Sequence, residues 1–283
     1  MSVETWNYII GDVHGCHDEL VALEAKIARH ATRHGVTPHH VSLGDLVDRG
    51  PESAQVVAHM REGVEAGTHS VIMGNHEAIM LTVLWDLAPW PAVVAPSPAP
   101  ELSTVARDGE GERGFARALS LEDYRQFRRY MWQGQGGYDT LRSYGCDPDD
   151  TSSWTLPADD LRFLVGLPYH WEADGVVATH ALATRAQLEL LRAGRPGADA
   201  DQDARDAFRK ASDRSMWSRA LPSNAPDPER VHVSGHTPLE RVKHVQSRKI
   251  IQVDTGAVYG RRLTAWCADD GSILSVQARE HVF

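Results

Sequence analysis

The chain is poor in the features that would tie it to an oxidising compartment, a membrane or a nucleic acid. Its three cysteines, Cys16, Cys146 and Cys267, are widely spaced and form no CxxC pair. They build no disulfide framework, and a reducing cytoplasm is the expected setting. No apolar run is long enough to span a bilayer, and residues 1–5 lack the basic and apolar stretches of a secretion signal. Basic residues are outnumbered, 29 Lys and Arg against 39 Asp and Glu, for a formal charge of −10. Binding to a phosphate backbone relies on clustered Lys and Arg, so neither nucleic acid nor an anionic membrane is an expected partner. Internal repeats and low-complexity tracts are also missing.

What is present is a 283-residue chain of ordinary hydrophobic content, 42%. That length lies near the upper limit for one hydrophobic core, so a single domain over 1–283 and a monomer are expected. Short β-rich runs at residues 6–10, 41–43 and 70–73 each run into a polar turn. Between them, Leu20, Leu23 and Ile27, then Val56, Met60 and Val64, fall at helical spacing. Pro51 suits the first turn of the second helix. The resulting β-α-β-α-β order makes the three strands parallel neighbours, with their polar turns at one carboxyl edge.

From about 86 to 131 lies an insertion with prolines at 89, 91, 96, 98 and 100, a candidate lid. A helix is expected over 120–131, a chain break at Gly134, Gly136 and Gly137, a helix over 157–164 and a solvated loop over 193–204. Later runs at 175–179, 231–234 and 249–253 end at His180, His236 and Asp254. Residues 263–267 and 273–276 predict a closing hairpin. Strands alternating with helices and then dominating predict an α/β fold of two packed sheets with helices outside.

The organising stretch is Gly44-Asp45-Leu46-Val47-Asp48-Arg49-Gly50, flanked by Gly11-Asp12-Val13-His14-Gly15 and Gly74-Asn75-His76-Glu77. Strand ends thus offer Asp12, His14, Asp45, Asn75, His180 and His236, six N and O ligands without a thiolate. That set suits two first-row ions, Mn, Fe or Zn. Asp12, His14 and Asp45 are assigned to one ion, and Asp45, Asn75, His180 and His236 to the other, with Asp45 bridging. Such a pair lowers the pKa of a shared water, so hydroxide becomes available for in-line attack on phosphorus. Arg49 suits the phosphate oxygens, with Arg219 as a second arginine across the pocket. His76 is the expected proton donor to the leaving group, held protonated by Asp48. Glu77 and Asp254 are expected to support turns. Trp85, Trp90 and Trp132 are expected to pack the insertion. His30, His34, His39, His40, His59 and His244 are read as surface or core residues.

These blocks, together with His180-Ala181, Trp217-Ser218-Arg219, Gly235-His236-Thr237-Pro238 and Asp254-Thr255-Gly256-Ala257-Val258, resemble the PPP-type serine/threonine phosphoprotein phosphatases. Those belong to the calcineurin-like metallophosphoesterases, and the likeness is to the bacterial branch that includes the bacteriophage lambda phosphatase. The resemblance implies a four-layer α/β/β/α sandwich and a dinuclear Mn2+-type centre. It also implies hydrolysis of phosphoserine and phosphothreonine, with phosphotyrosine and small phosphoesters as further substrates and inorganic phosphate as product. Leu182, where Gly or Asp is usual, and the long insertion depart from the pattern. A symmetrical diadenosine tetraphosphate hydrolase, on the same scaffold, is the alternative; those enzymes characteristically lack the Asp of the Asp-Arg-Gly element and tend to carry Asp where Glu77 stands. An inactive scaffold is a third reading, opposed by the intact ligand set.

Overall fold

The computed structural model describes residues 3–87, 121–197 and 199–281. The first part runs β1 (Thr5–Ile10), α1 (His17–His34), β2 (Thr37–Ser42), α2 (Ser53–Glu65), β3 (His69–Val71) and α3 (Asn75–Leu87). Next come α4 (Leu121–Trp132), a kinked segment (Gln133–Gly137), α5 (Tyr138–Ser143), α6 (Ala158–Val165), β4 (His170–Ala173), β5 (Val176–Thr179), α7 (Arg185–Ala193) and α8 (Gln202–Trp217). The chain closes with β6 (Val231–Ser234), β7 (Lys243–Val245), β8 (Ile250–Gln252), β9 (Arg262–Cys267) and β10 (Ile273–Gln277).

These strands form two mixed five-stranded sheets, ordered β10-β9-β1-β2-β3 and β4-β5-β6-β8-β7. In the first, β1, β2 and β3 are parallel, and the β9–β10 hairpin joins antiparallel to β1. In the second, β5, β6 and β8 are parallel, with β4 and β7 as antiparallel edges. Strand side chains alternate between faces. Ile9, Val41, Leu43 and Ile72 therefore meet Val176, Ala178, Val233 and Ile251 in a dry layer between the sheets. Tyr8 and Ile10, on the opposite face of β1, pack with Leu20, Leu23 and Ile27 of α1 and Val56 and Met60 of α2. On the outer face of the second sheet Val177 packs against Leu188 of α7. The expected α/β architecture of two mixed sheets between helices is what the chain adopts.

Several local expectations are corrected. Strand β2 begins at Thr37, four residues early, because Pro38, His39 and His40 pair with β1 despite their polarity. Pro51 sits in a turn ahead of α2, which starts at Ser53. Strand β3 stops at Val71; Met73 instead donates its N–H to Pro168 O at 2.7 Å. The expected break at the three glycines is seen: Gly136, at φ 109°, leaves the helical conformation and kinks the chain between α4 and α5. Residues 193–204 are a loop only in their middle, since Asp201 caps α8 by accepting from Ala204 N. Helix α7, unanticipated, carries a capping box between Thr184 and Gln187. The expected 120–131 helix is seen as α4, while residues 88–120, most of the insertion, lie outside the described residues.

Candidate metal and phosphate site

The three polar turns converge beyond the carboxyl ends of β1, β2 and β3, and their backbone is unusual. Five of the six described non-glycine residues at positive φ are His14, Asp45, Asp48, Arg49 and His236. Such conformations cost free energy and persist only where surrounding structure imposes them. Here Glu77 supplies the constraint: its buried carboxylate accepts from the backbone N–H of Asp45 (2.8 Å), Leu46 (2.7 Å), Val47 (3.2 Å) and Gly74 (3.0 Å). The turns could not approach so closely with larger residues, because a Cβ on Gly74 would lie 2.3 Å from Asp45 N.

Asp45 stands at the centre. Its Oδ1 accepts from His76 N at 3.0 Å, while Oδ2 faces His14 Nε2 at 3.5 Å and His180 Nε2 at 3.4 Å. His14 and His180 are each oriented through Nδ1, which donates to Val47 O (2.9 Å) and Leu43 O (2.7 Å). Both Nε2 atoms then face Asp45, the orientation that metal-ligating histidines require. Asn75 Oδ1 lies 2.9 Å from both His180 Nε2 and His236 Nδ1. Asp12 accepts from His236 N at 3.1 Å. All six predicted ligands are therefore brought together, buried, with acceptor atoms turned on one another. Such a set fits divalent cations, whose charge removes the conflict.

The electrostatics agree. Burial, reinforced by Asp254 and Asp45, raises the Asp12 carboxyl well above its ordinary range. Burial opposes ionisation of Asp45, but His180, His76 and His14 hold it well below the ordinary value. His180 is driven up to about 10 because Asp45 and Asp12 outweigh its burial. Positive charge is thus favoured where an ion between these ligands would lie.

Behind this pocket His76 Nδ1 meets Asp48 Oδ2 at 2.7 Å, both fully buried. Burial dominates both groups, pushing Asp48 up to about 8 and His76 down to about 3. Burial therefore works against charge on both groups, so the expected raising of His76 by Asp48 is not seen; the pair shares a proton along the 2.7 Å contact. Trp132 was expected to pack the insertion, but it is fully buried with its Nε1–H donating to both oxygens of Asp48 at 3.1 Å. Thr140 Oγ1 donates to Asp48 Oδ1 at 2.7 Å. Sequence reasoning missed both residues, although a signal existed in the glycines between them. Gly136 O accepts from Arg49 N, and a Cβ on Gly136 would lie 2.2 Å from that nitrogen. A Cβ on Gly137 would lie 2.7 Å from the Trp132 indole.

Arg49 reaches the pocket with Nη1 2.7 Å from His14 Nε2 and its guanidinium over the Tyr259 ring, 5.7 Å from the centroid. Arg219, beyond the end of α8, shares the pocket wall with Trp217, His236 and Asp254. The cavity, of about 70 Å³, also meets Gln135, Pro238 and Tyr259; Pro238 belongs to a motif named in the sequence, while Gln135 and Tyr259 are absent from the sequence expectation. Asp48 and His180 lie behind its wall.

Residues 8–261 match the sequence profile described as Calcineurin-like phosphoesterase. A Bacillus velezensis protein named bis(5'-nucleosyl)-tetraphosphatase PrpE, asymmetrical, is 25% identical over 275 residues, spanning 95% of this chain and 92% of its own. A Cronobacter sakazakii protein named symmetrical bis(5'-nucleosyl)-tetraphosphatase is 40% identical, but over only 27% of this chain and 25% of its own. The crystal structure of a candidate diadenosine tetraphosphatase superposes with a TM-score of 0.53 at 20% identity, covering 98% of this chain and 97% of that one. That last likeness concerns the fold.

Proposed function

The chain belongs to the calcineurin-like phosphoesterase family, and within it we propose a hydrolase of dinucleoside polyphosphates that cleaves a phosphoanhydride bond with water. One observation carries the reading: the similarity that spans nearly the whole chain is to a protein named as a dinucleoside tetraphosphatase. This reverses the order of preference suggested by the motifs, which placed a serine/threonine phosphatase first. The family uses a dinuclear divalent metal centre; here Asp12, His14 and Asp45 would hold one ion, and Asp45, Asn75, His180 and His236 the other. Bound ions of this kind neutralise phosphate charge and make hydroxide available near neutral pH.

The remaining work falls to the chain's own groups. Arg49 and Arg219 provide guanidinium forks for phosphate oxygens, and two of them suit a chain of phosphates. At the edge of the pocket Tyr259, 40% exposed, offers a ring face on which a nucleoside base can stack. His76 stands ready to pass its Nε2 proton to the leaving oxygen while Nδ1 takes the proton shared with Asp48.

The test is a comparison of kcat/KM on diadenosine tetraphosphate, phosphoserine and phosphothreonine peptides and para-nitrophenyl phosphate, after loading with Mn2+. The dinucleotide should be preferred by at least about tenfold, and the products identify the bond cut: nucleoside triphosphate plus monophosphate, or two diphosphates. Preference for phosphopeptides by a similar margin would replace this reading with a phosphoprotein phosphatase. That second reading is favoured by Asp48 itself, 2.7 Å from His76, the residue that dinucleotide hydrolases characteristically lack.

A further inference from the structure

A second group of histidines lies on the outer face of the first sheet, away from the three turns. Glu24 of α1 receives His59 of α2 on Oε2 at 2.9 Å and His69 of β3 on Oε1 at 3.0 Å, each through Nε2. The three donor atoms lie within 4.8 Å of one another. Ligands held at about 2.0–2.1 Å around a tetrahedral ion stand about 3.3 Å apart, and Glu24 stands 2.9 and 3.0 Å from the two imidazoles.

The surroundings favour a ligand set over a surface ion pair. Thr68 Oγ1 lies 3.2 Å from Gly63 O and 2.8 Å from His69 Nδ1. The hydroxyl engages Nδ1 and so orients Nε2 on Glu24. An imidazole nitrogen facing a carboxylate oxygen holds a proton or a cation between them. His40 stacks on His69 with centroids 4.7 Å apart and planes at 16°; it is buried, and its Nδ1 has no hydrogen-bond partner. Gly63 makes the cradle, since a Cβ there would lie 2.2 Å from His69 Nδ1. His59 is partly exposed, so the site opens to solvent on the side of α2.

We propose that Glu24, His59 and His69 form a second metal site, separate from the phosphate pocket, which takes one Zn2+-type cation and completes its coordination with water. Two imidazoles and one carboxylate suit Zn2+ in ligand type and number. An ion there ties α1, α2 and β3 together, so its effect is on stability and not on hydrolysis.

Chelator-stripped full-length protein is titrated with Zn2+, and separately with Co2+ to read the d–d absorption. Wild type should take up about one equivalent more than the His59→Ala/His69→Ala double variant, and only wild type should show the Co2+ band contributed by this site. The double variant should keep its far-UV circular dichroism and its hydrolysis of para-nitrophenyl phosphate. If it does not fold, the single variant His59→Gln, on a partly exposed helix position, should weaken uptake at this site at least about tenfold. Equal stoichiometry and identical Co2+ spectra in wild type and a folded variant would overturn the proposal, as would an additional equivalent that persists without His59 and His69.

Discussion

Two clusters in this molecule place a carboxylate between histidines, and they are built in opposite ways. At the carboxyl edge Asp45 Oδ2 stands 3.5 and 3.4 Å from two imidazole nitrogens, on turns whose positive φ is imposed by Glu77 and closely packed glycines. On the outer face Glu24 meets its two histidines at 2.9 and 3.0 Å, and Glu24, His59 and His69 are absent from the described positive-φ residues. The inner groups are fixed by backbone strain and by hydrogen bonds on the far ring nitrogens. The outer groups can close on each other with a proton. Strain is therefore concentrated where ligands must be held apart for chemistry, and activity should depend on the inner cluster alone.

The sharpest way to break this contrast is Asp45→Asn. Removing the charge shared by His14 and His180 should lower turnover by at least about 10³-fold and bring metal content below two equivalents. Elemental analysis beside steady-state kinetics checks both; a variant retaining activity and metal would place the chemistry elsewhere. Next in size is His76→Asn. An alkoxide leaving group needs a proton far more than a phosphate does, so loss of this donor should cost about 10²–10⁴-fold on a phosphoserine peptide and under about tenfold on an anhydride. Equal losses on the two substrates would remove His76 from the role of proton donor.

The convergence of the inner residues was legible in the sequence because the candidate ligands end apolar runs and sit beside glycines, a local pattern. The two-sheet architecture was legible for a related reason: strands such as 231–234 and 249–253 are short, apolar and end in polar turns. What stayed hidden depends on distant packing. Strand β2 opens with Thr37, Pro38, His39 and His40, whose polarity conceals pairing that β1 enforces. Trp132 lies 84 residues from the carboxylate that it supports, and nothing adjacent to it names that partner. Burial, which opposes charge on both Asp48 and His76, cannot be seen in a motif.

Trp132→Phe probes how far the support of the inner site extends. The ring still fills its place, but Asp48 loses an indole donor that lowers its pKa. The carboxyl should then stay protonated to higher pH, moving the alkaline limb of the pH–rate profile upward, while kcat on a phosphoserine peptide falls about tenfold through looser orientation of His76. An unchanged profile with unchanged kcat would make Trp132 a packing residue only.

The smallest effect on activity is expected from Glu24→Gln, the counterpart in the outer cluster. Burial raises the Glu24 pKa, but hydrogen bonds from His59 and His69 overcome it and hold the carboxyl near 2, against an ordinary 4.5. A depressed acid stabilises the fold in full above its unfolded pKa and loses that contribution as pH falls towards its folded value. Metal-free wild type should thus exceed Glu24→Gln by up to about 3 kcal/mol at pH 7. The gap should narrow from about pH 4.5 downward and vanish near pH 2. His59, whose pKa the same contact raises, works in the other direction: its share is complete below the ordinary 6.5, declines as pH rises above that, and is lost once pH passes the elevated folded value. Urea denaturation from pH 3 to 8 reads both trends, and kcat at neutral pH should be unchanged. A stability gap that does not vary with pH would mean that Glu24 acts by packing, leaving only the inner cluster as a charge-dependent site.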